Sequence, residues 1–137
     1  MEQERGTEAT RMDRQHIFAI NGAPEFLNLL RELLQEERYN VTTTNFVPTT
    51  FDQIEAMRPD LLIVDLVAGE QAGWTLLEQV QAEAETRGVP VIVFSTSSAL
   101  LDRARALETP GGTRRFLGKP FDVAALLALV EELIGPA

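Results

Sequence analysis

Short apolar or β-branched runs alternate along the chain with longer stretches in which apolar residues recur every three or four positions. Runs of the first kind are typical of strands, and stretches of the second kind are typical of amphipathic helices. The runs at 61–65 and 89–94 carry no regular polar alternation, as expected of strands covered on both faces. In chain order, the pattern predicts strands at 16–20, 39–44, 61–65, 89–94 and 115–117.

Proline, glycine and capping residues set the ends of the intervening helices. Pro24 suits the first position of a helix, and Pro59 must end a short one. Asp122 suits an N-cap, as does Ser97 or Ser98. Five helices are predicted. The first begins at Pro24, the second covers 51–57, and the third carries Trp74 in the core and ends at Gly88. The fourth runs from Ser97 or Ser98 to about Glu108, and the fifth runs from Asp122 to Gly135.

Five strands alternating with five helices predict a parallel sheet with helices on both faces, because parallel neighbours need crossover connections. We expect an α/β fold, a single (βα)5 doubly wound sheet with strand order 2-1-3-4-5. Residues 1–14 mix both charge signs without an apolar period. They are therefore predicted to form a disordered tail before one domain at 15–137.

Composition excludes several classes of function. Twelve Lys and Arg against 21 Asp and Glu give a net charge of −9, which disfavours direct binding of nucleic acid. No cysteine and a single histidine exclude thiolate zinc sites and histidine triads. That histidine, His16, is predicted to be an ordinary residue at the start of a strand. No apolar run approaches the roughly 20 residues needed to span a bilayer, so we expect a cytoplasmic protein without membrane contact.

Polar residues follow the predicted strands where doubly wound sheets hold their ligands, beyond the carboxyl ends. Asp65 ends a buried run, where a carboxylate is costly unless it meets a cation or has a function. Lys119 follows the last strand and can reach Asp65, and Ser95 follows the fourth. Two plain interpretations stay open: Asp65 caps a loop, and Lys119 forms a purely structural ion pair with it.

Together these positions resemble the receiver domain of response regulators in two-component signalling, over about residues 15–135. The Leu-Leu-Ile-Val-Asp run resembles the family's phospho-acceptor strand and ends at Asp65. The run ending at Ser95 resembles the family's strand that ends in Ser or Thr. Phe116-Leu-Gly-Lys119-Pro-Phe is similar to its aromatic-x-x-Lys-Pro-Phe signature. The resemblance implies a flavodoxin-like receiver fold.

The resemblance also implies a role for each residue. Asp65 is expected to accept a phosphoryl group from a phosphohistidine on a histidine kinase, and Lys119 and Ser95 to contact the phosphoryl oxygens. Phe116 is the implied aromatic switch, which turns inward when the hydroxyl is drawn to the phosphate. At most, the resemblance implies one enzymatic activity, the autocatalytic transfer of a phosphoryl group to Asp65.

The chain departs from the family at the metal site. By resemblance, Mg²⁺ is held by Asp65, by the backbone carbonyl of Val67 and by an acidic pair after the first strand. Asn21 and Gly22 stand in place of that pair, so Asn21 is at most a doubtful ligand and Mg²⁺ is predicted to bind weakly or not at all. Two hypotheses remain: a receiver that accepts a phosphoryl group on Asp65, and a phosphorylation-independent pseudo-receiver that serves only for protein interaction or dimerisation.

Basic residues are concentrated late in the chain. Solvated surface charge is one interpretation, and an interaction surface for a histidine kinase or another signalling protein is the other. A homodimer through the fourth helix, fifth strand and fifth helix is one candidate assembly. The candidate interface residues are Arg103, Arg105, Arg114 and Arg115.

Other ligand classes of the doubly wound fold are disfavoured. The loop after the first strand lacks a Gly-x-Gly-x-x-Gly sequence for dinucleotides. The hydroxyl-rich loop after the fourth strand is the wrong one for a flavin site of the flavodoxin type. A phosphatase of the haloacid dehalogenase type requires a second Asp at the position of Val67.

Overall fold

A computed structural model describes residues 15–21, 23–45, 49–67, 70–107 and 114–136. The strands are β1 (His16–Ile20), β2 (Asn40–Thr44), β3 (Leu61–Asp65), β4 (Val91–Ser95) and β5 (Arg114–Gly118). The helices are α1 (Pro24–Glu36), α2 (Thr50–Met57), α3 (Ala72–Ala82), α4 (Ser98–Ala106) and α5 (Val123–Ile134).

The five strands form one parallel sheet in the order β2-β1-β3-β4-β5. This confirms the predicted α/β doubly wound fold. The register pairs Asp65 with Phe94, and Ser95 with Gly118. Because all neighbours are parallel, the carboxyl ends of β3, β4 and β5 lie along one edge of the sheet.

The core consists of two apolar clusters, one on each face of the sheet. Alternate strand residues point to opposite faces, so each central strand contributes to both clusters. On one face α1 and α5 cover the sheet, and on the other α2, α3 and α4 cover it. Trp74 is 7% exposed and belongs to the second cluster, which confirms its predicted place in the core.

The helix caps follow the sequence at two predicted positions. The Ser97 side chain accepts a hydrogen bond from the backbone N–H of Leu100, and the Asp122 side chain accepts one from Ala124. Both satisfy an amide that the first turn of a helix leaves without a partner.

The predicted end of the third helix at Gly88 is wrong, because α3 ends at Ala82. Glu83 takes an extended conformation, and the buried Thr86 hydroxyl donates a hydrogen bond to the carbonyl of Val80 at 2.8 Å. The polar residues after Ala82 offer no apolar stripe to hold further turns against the sheet. The hydrogen bond of the Thr86 side chain, rather than further helical turns, therefore holds the chain after Ala82 against α3.

Three predicted features lie outside the described residues: the tail at 1–14, Gly22, and the Thr-Pro-Gly-Gly break at 109–112. His16 lies at the start of β1 with Nε2 2.8 Å from the Thr42 hydroxyl oxygen. Within the described ranges, none of the helices combines the length and the hydrophobicity that crossing a membrane requires.

Candidate functional site

Asp65 and Lys119 form an ion pair at the carboxyl edge of the sheet. Asp65 ends β3 and is 5% exposed. Lys119 follows β5, and its backbone N–H donates to the carbonyl of Ser95 at 2.9 Å. Its Nζ lies 2.8 Å from Oδ1 of Asp65, which makes an ion pair, but the two groups are not aligned as in a hydrogen bond. The structure thus brings together the two charged residues that the sequence singled out.

Burial raises the pKa of Asp65 above its ordinary value, because the ionised carboxylate loses hydration. The Lys119 ammonium and the Asn21 amide lower this pKa, and the Glu70 carboxylate raises it. Desolvation outweighs the two favourable neighbours. The protein therefore compensates the charge of Asp65 only in part.

Asn21 directs its amide nitrogen, rather than its oxygen, toward Asp65. Its Oδ1 accepts the backbone N–H of Ala23 at 2.6 Å in the turn that leads into α1. Nδ2 is buried and makes no full hydrogen bond within the described residues, yet the amide lowers the pKa of Asp65. Turning the oxygen toward a metal breaks the bond to Ala23 and sets two N–H donors against each other.

The donor set at this edge fits Mg²⁺ poorly. The ion prefers several hard oxygen ligands, usually including more than one carboxylate with the waters it retains. The described residues contain no group of three His, Asp or Glu side chains placed to hold a metal. The Val67 carbonyl already accepts the N–H of Glu70 at 3.1 Å, and the Asn21 oxygen is engaged as described. Among the three residues that the resemblance assigns to the metal, only Asp65 offers an anionic ligand.

Because Gly73 has no side chain, α3 can lie close to Asp65 and Leu66. A β-carbon at this position would approach the Leu66 side chain to 2.8 Å and the Asp65 carbonyl to 3.2 Å. A residue with a side chain therefore pushes the helix away from the loop that follows Asp65.

Ser95 occupies the neighbouring strand end with its hydroxyl already engaged. The residue is 1% exposed, and Oγ donates to the Leu66 carbonyl at 2.8 Å and accepts the N–H of Ser97 at 3.0 Å. Contact with a ligand on Asp65 requires this hydroxyl to leave the carbonyl. Ser95 is thus adjacent to the ion pair but does not share in it.

Phe116 lies on the other side of β5, against α4. Its ring is half-buried beside the second core cluster, and the Arg105 guanidinium lies 5.3 Å from the ring centroid. The aromatic residue of the signature is thus held in a cation–π contact.

An aromatic wall around Lys119 was missed by the sequence analysis. Lys119 Nζ lies 4.1 Å from the centroid of Phe26, within cation–π range. The Phe26 ring in turn contacts Phe94 and Phe121 edge-on, with centroids 5.6 and 5.8 Å apart. The apolar spacing after Pro24 predicts for Phe26 no more than a place on the apolar face of the first helix. Its place in the first turn after the central strand β1 was the signal available.

The four candidate interface arginines divide between the two faces of the sheet. Arg103 lies over Trp74, Arg105 lies over Phe116, and Arg114 donates to the Leu77 carbonyl of α3 at 3.3 Å. Arg115 points the other way and pairs with Glu132 of α5 at 3.1 Å. The structure therefore brings together Arg103, Arg105 and Arg114, but not Arg115.

Comparison with known proteins agrees with this geometry. The family profile described as "Response regulator receiver domain" matches residues 17–131. The response regulator PleD of Caulobacter vibrioides is 28% identical over 117 residues, covering 85% of this chain and 25% of PleD. The polar-differentiation response regulator DivK of Brucella anthropi is 24% identical, covering 81% of this chain and 89% of DivK. The chain thus spans only a quarter of the length of PleD.

A solved structure also shares the fold. The receiver domain of the sensor histidine kinase PA1611 from Pseudomonas aeruginosa superimposes with a TM-score of 0.74 at 24% identity, over 88% of this chain and 98% of that one. That structure holds a magnesium ion in its active-site cleft. The family profile, which matches residues 17–131, covers nearly the whole folded region and is the decisive result. This chain belongs to the response regulator receiver domain family of two-component signalling.

Proposed function

We propose that Asp65 is the phosphoryl acceptor of this receiver, and that acceptance is slow because the metal site is depleted. The contact of 2.8 Å between Lys119 Nζ and Asp65 Oδ1 carries the proposal. It places a cation beside the one carboxylate that ends a strand, where negative charge builds up during phosphoryl transfer. The Asn21 amide adds a second dipole that favours the same charge.

In the proposed reaction, the ionised carboxylate of Asp65 attacks the phosphorus of a phosphohistidine on a kinase. The P–N bond breaks, the P–O bond forms, and the leaving imidazole takes up a proton from solvent. Lys119 binds a phosphoryl oxygen while its ammonium stays against Phe26. Ser95 exchanges the Leu66 carbonyl for another phosphoryl oxygen. Phe116 then leaves Arg105 and turns inward.

We propose in addition that Mg²⁺ binds this chain weakly or not at all. Asn21 keeps its oxygen in the turn to Ala23, and one carboxylate cannot replace the missing acidic pair. The partner that supplies the phosphoryl group is a histidine kinase or another signalling protein. We also propose that the output of this domain is homodimerisation through α4, β5 and α5.

The test is intact-protein mass after incubation with acetyl phosphate and Mg²⁺. We expect a slow gain of one phosphoryl group that Asp65→Asn abolishes. The double variant Asn21→Asp with Gly22→Asp should gain it at least about tenfold faster, which corresponds to about 1.4 kcal/mol of transition-state stabilisation. A double variant that gains no phosphoryl group would overturn the assignment of Asp65.

The second candidate is a phosphorylation-independent interaction module. The orientation of Asn21 favours it, because an ion pair flanked by this amide can hold the domain in one state without metal or phosphate. Under this candidate the unsubstituted chain gains no mass, whereas the double variant does. The same pair of measurements therefore separates the two functions.

A further inference from the structure

An open groove lies between α3 and the end of α4, on the face of the sheet that also carries Phe116. Its volume is about 350 Å³, and none of its lining residues belongs to the Asp65 site. The apolar part of its wall consists of Trp74, Leu77, Ala82 and Leu107.

Leu107 gives this groove an unusual edge. It is 61% exposed, the largest fraction among the large hydrophobic residues that the structure describes. A single exposed leucine is ordinary on a protein surface. Here it borders a concave apolar wall with Trp74 in it, and that combination is typical of a site that receives an apolar side chain.

Cationic groups edge the same groove. The Arg103 guanidinium lies 4.7 Å from the centre of the Trp74 ring, and Arg114 both lines the groove and donates to the Leu77 carbonyl. One acidic residue, Glu78, is among the lining residues. The chain as a whole carries a net charge of −9, so this positive edge contrasts with the rest of the protein.

We propose that this groove binds an acidic amphipathic segment of a partner protein. Apolar side chains of the segment fill the space beside Trp74 and Leu107, and flanking carboxylates meet Arg103 and Arg114. A second copy of this chain is the competing occupant, and self-association in the absence of peptide tests for it. The proposal does not depend on phosphorylation of Asp65.

The probe is a synthetic amphipathic peptide of about 14 residues, with Leu at every third or fourth position and Glu between. Trp74 is the single tryptophan of the chain and lies in the groove, so its fluorescence reports occupancy. The control peptide keeps every Leu and replaces Glu by Lys. We expect saturable binding of the Glu peptide that weakens with salt, and at least about tenfold weaker binding of the Lys peptide.

Two variants locate the contact. Leu107→Gln should weaken the Glu peptide at least about fivefold without loss of folding, because the side chain is exposed. Arg115→Gln is the matched control, since Arg115 points to the opposite face of β5 and should leave binding unchanged. Equal binding of both peptides, no saturation, or an unaffected Leu107→Gln variant would each overturn the proposal. Peptide-free self-association that Leu107→Gln abolishes would also overturn it, in favour of a second copy.

Discussion

Two ion pairs at β5 differ in how much water reaches them. Lys119 and Asp65 lie 2.8 Å apart with side chains 17% and 6% exposed, whereas Arg115 and Glu132 lie 3.1 Å apart at 39% and 55%. The charges and distances are nearly the same. If one partner of the exposed pair is lost, water can replace it. If Lys119 is lost from the buried pair, the Asp65 charge remains without hydration.

Lys119→Met should have the largest effect on the free energy of unfolding, a loss of about 3 kcal/mol at pH 7, because it leaves Asp65 ionised and buried. Without the ammonium, the pKa of Asp65 rises further above its already raised value. The loss should therefore shrink as the pH falls and the carboxyl becomes protonated. Urea unfolding at pH 7 and pH 5 measures both effects.

The control for Lys119→Met is the double variant with Asp65→Asn, which removes both charges and should regain most of the lost stability. A single variant as stable as the unsubstituted chain would show that water reaches Asp65 freely. The buried and exposed pairs would then be alike.

Asp65→Asn alone should cost less, because the long side chain of Lys119 can carry its ammonium to solvent. In the unsubstituted chain, the folded state holds the Asp65 proton more tightly than the unfolded state, since burial raises its pKa. Stability therefore increases as the pH falls through this raised pKa, and the Asn variant lacks that gain. Paired unfolding curves should separate further at pH 4 than at pH 7. A constant difference would mean that Asp65 titrates normally.

Glu132→Gln should have the smallest effect, below about 0.5 kcal/mol at physiological salt and nearly zero at high salt. Thermal unfolding in low and high salt measures it. A loss above about 1 kcal/mol would show that the exposed pair fixes the docking of α5 on β5, and would remove the contrast drawn between the two pairs.

The strands and their order could be predicted from the sequence, because apolar runs and their spacing dictate a parallel sheet. The error at the end of α3 arose because Thr86 bonds to the Val80 carbonyl, a contact that the periodicity of α3 does not contain. Helix ends depend on such single side-chain bonds. Strand positions depend on many apolar contacts at once.

At the site, the strand-end rule found Asp65 and Lys119 because parallel strands end at one edge. The orientation of Asn21 could not be predicted, since it depends on which of two amide atoms meets the N–H of Ala23. The contact between Phe26 and Lys119 was missed because it joins residues far apart in the chain, and its one signal was the position of Phe26 shortly after β1.

The two-cluster core has a consequence for synthesis of the chain on the ribosome. The cluster beneath α2, α3 and α4 draws nearly all of its residues from the chain up to Ala104, so it can close before the last segment emerges. The cluster beneath α1 also needs Leu126 and Val130 of α5. During translation one face of the sheet therefore stays uncovered longer than the other, and a nascent chain stalled before α5 presents Ile17 and Ile63 to chaperones or to other chains.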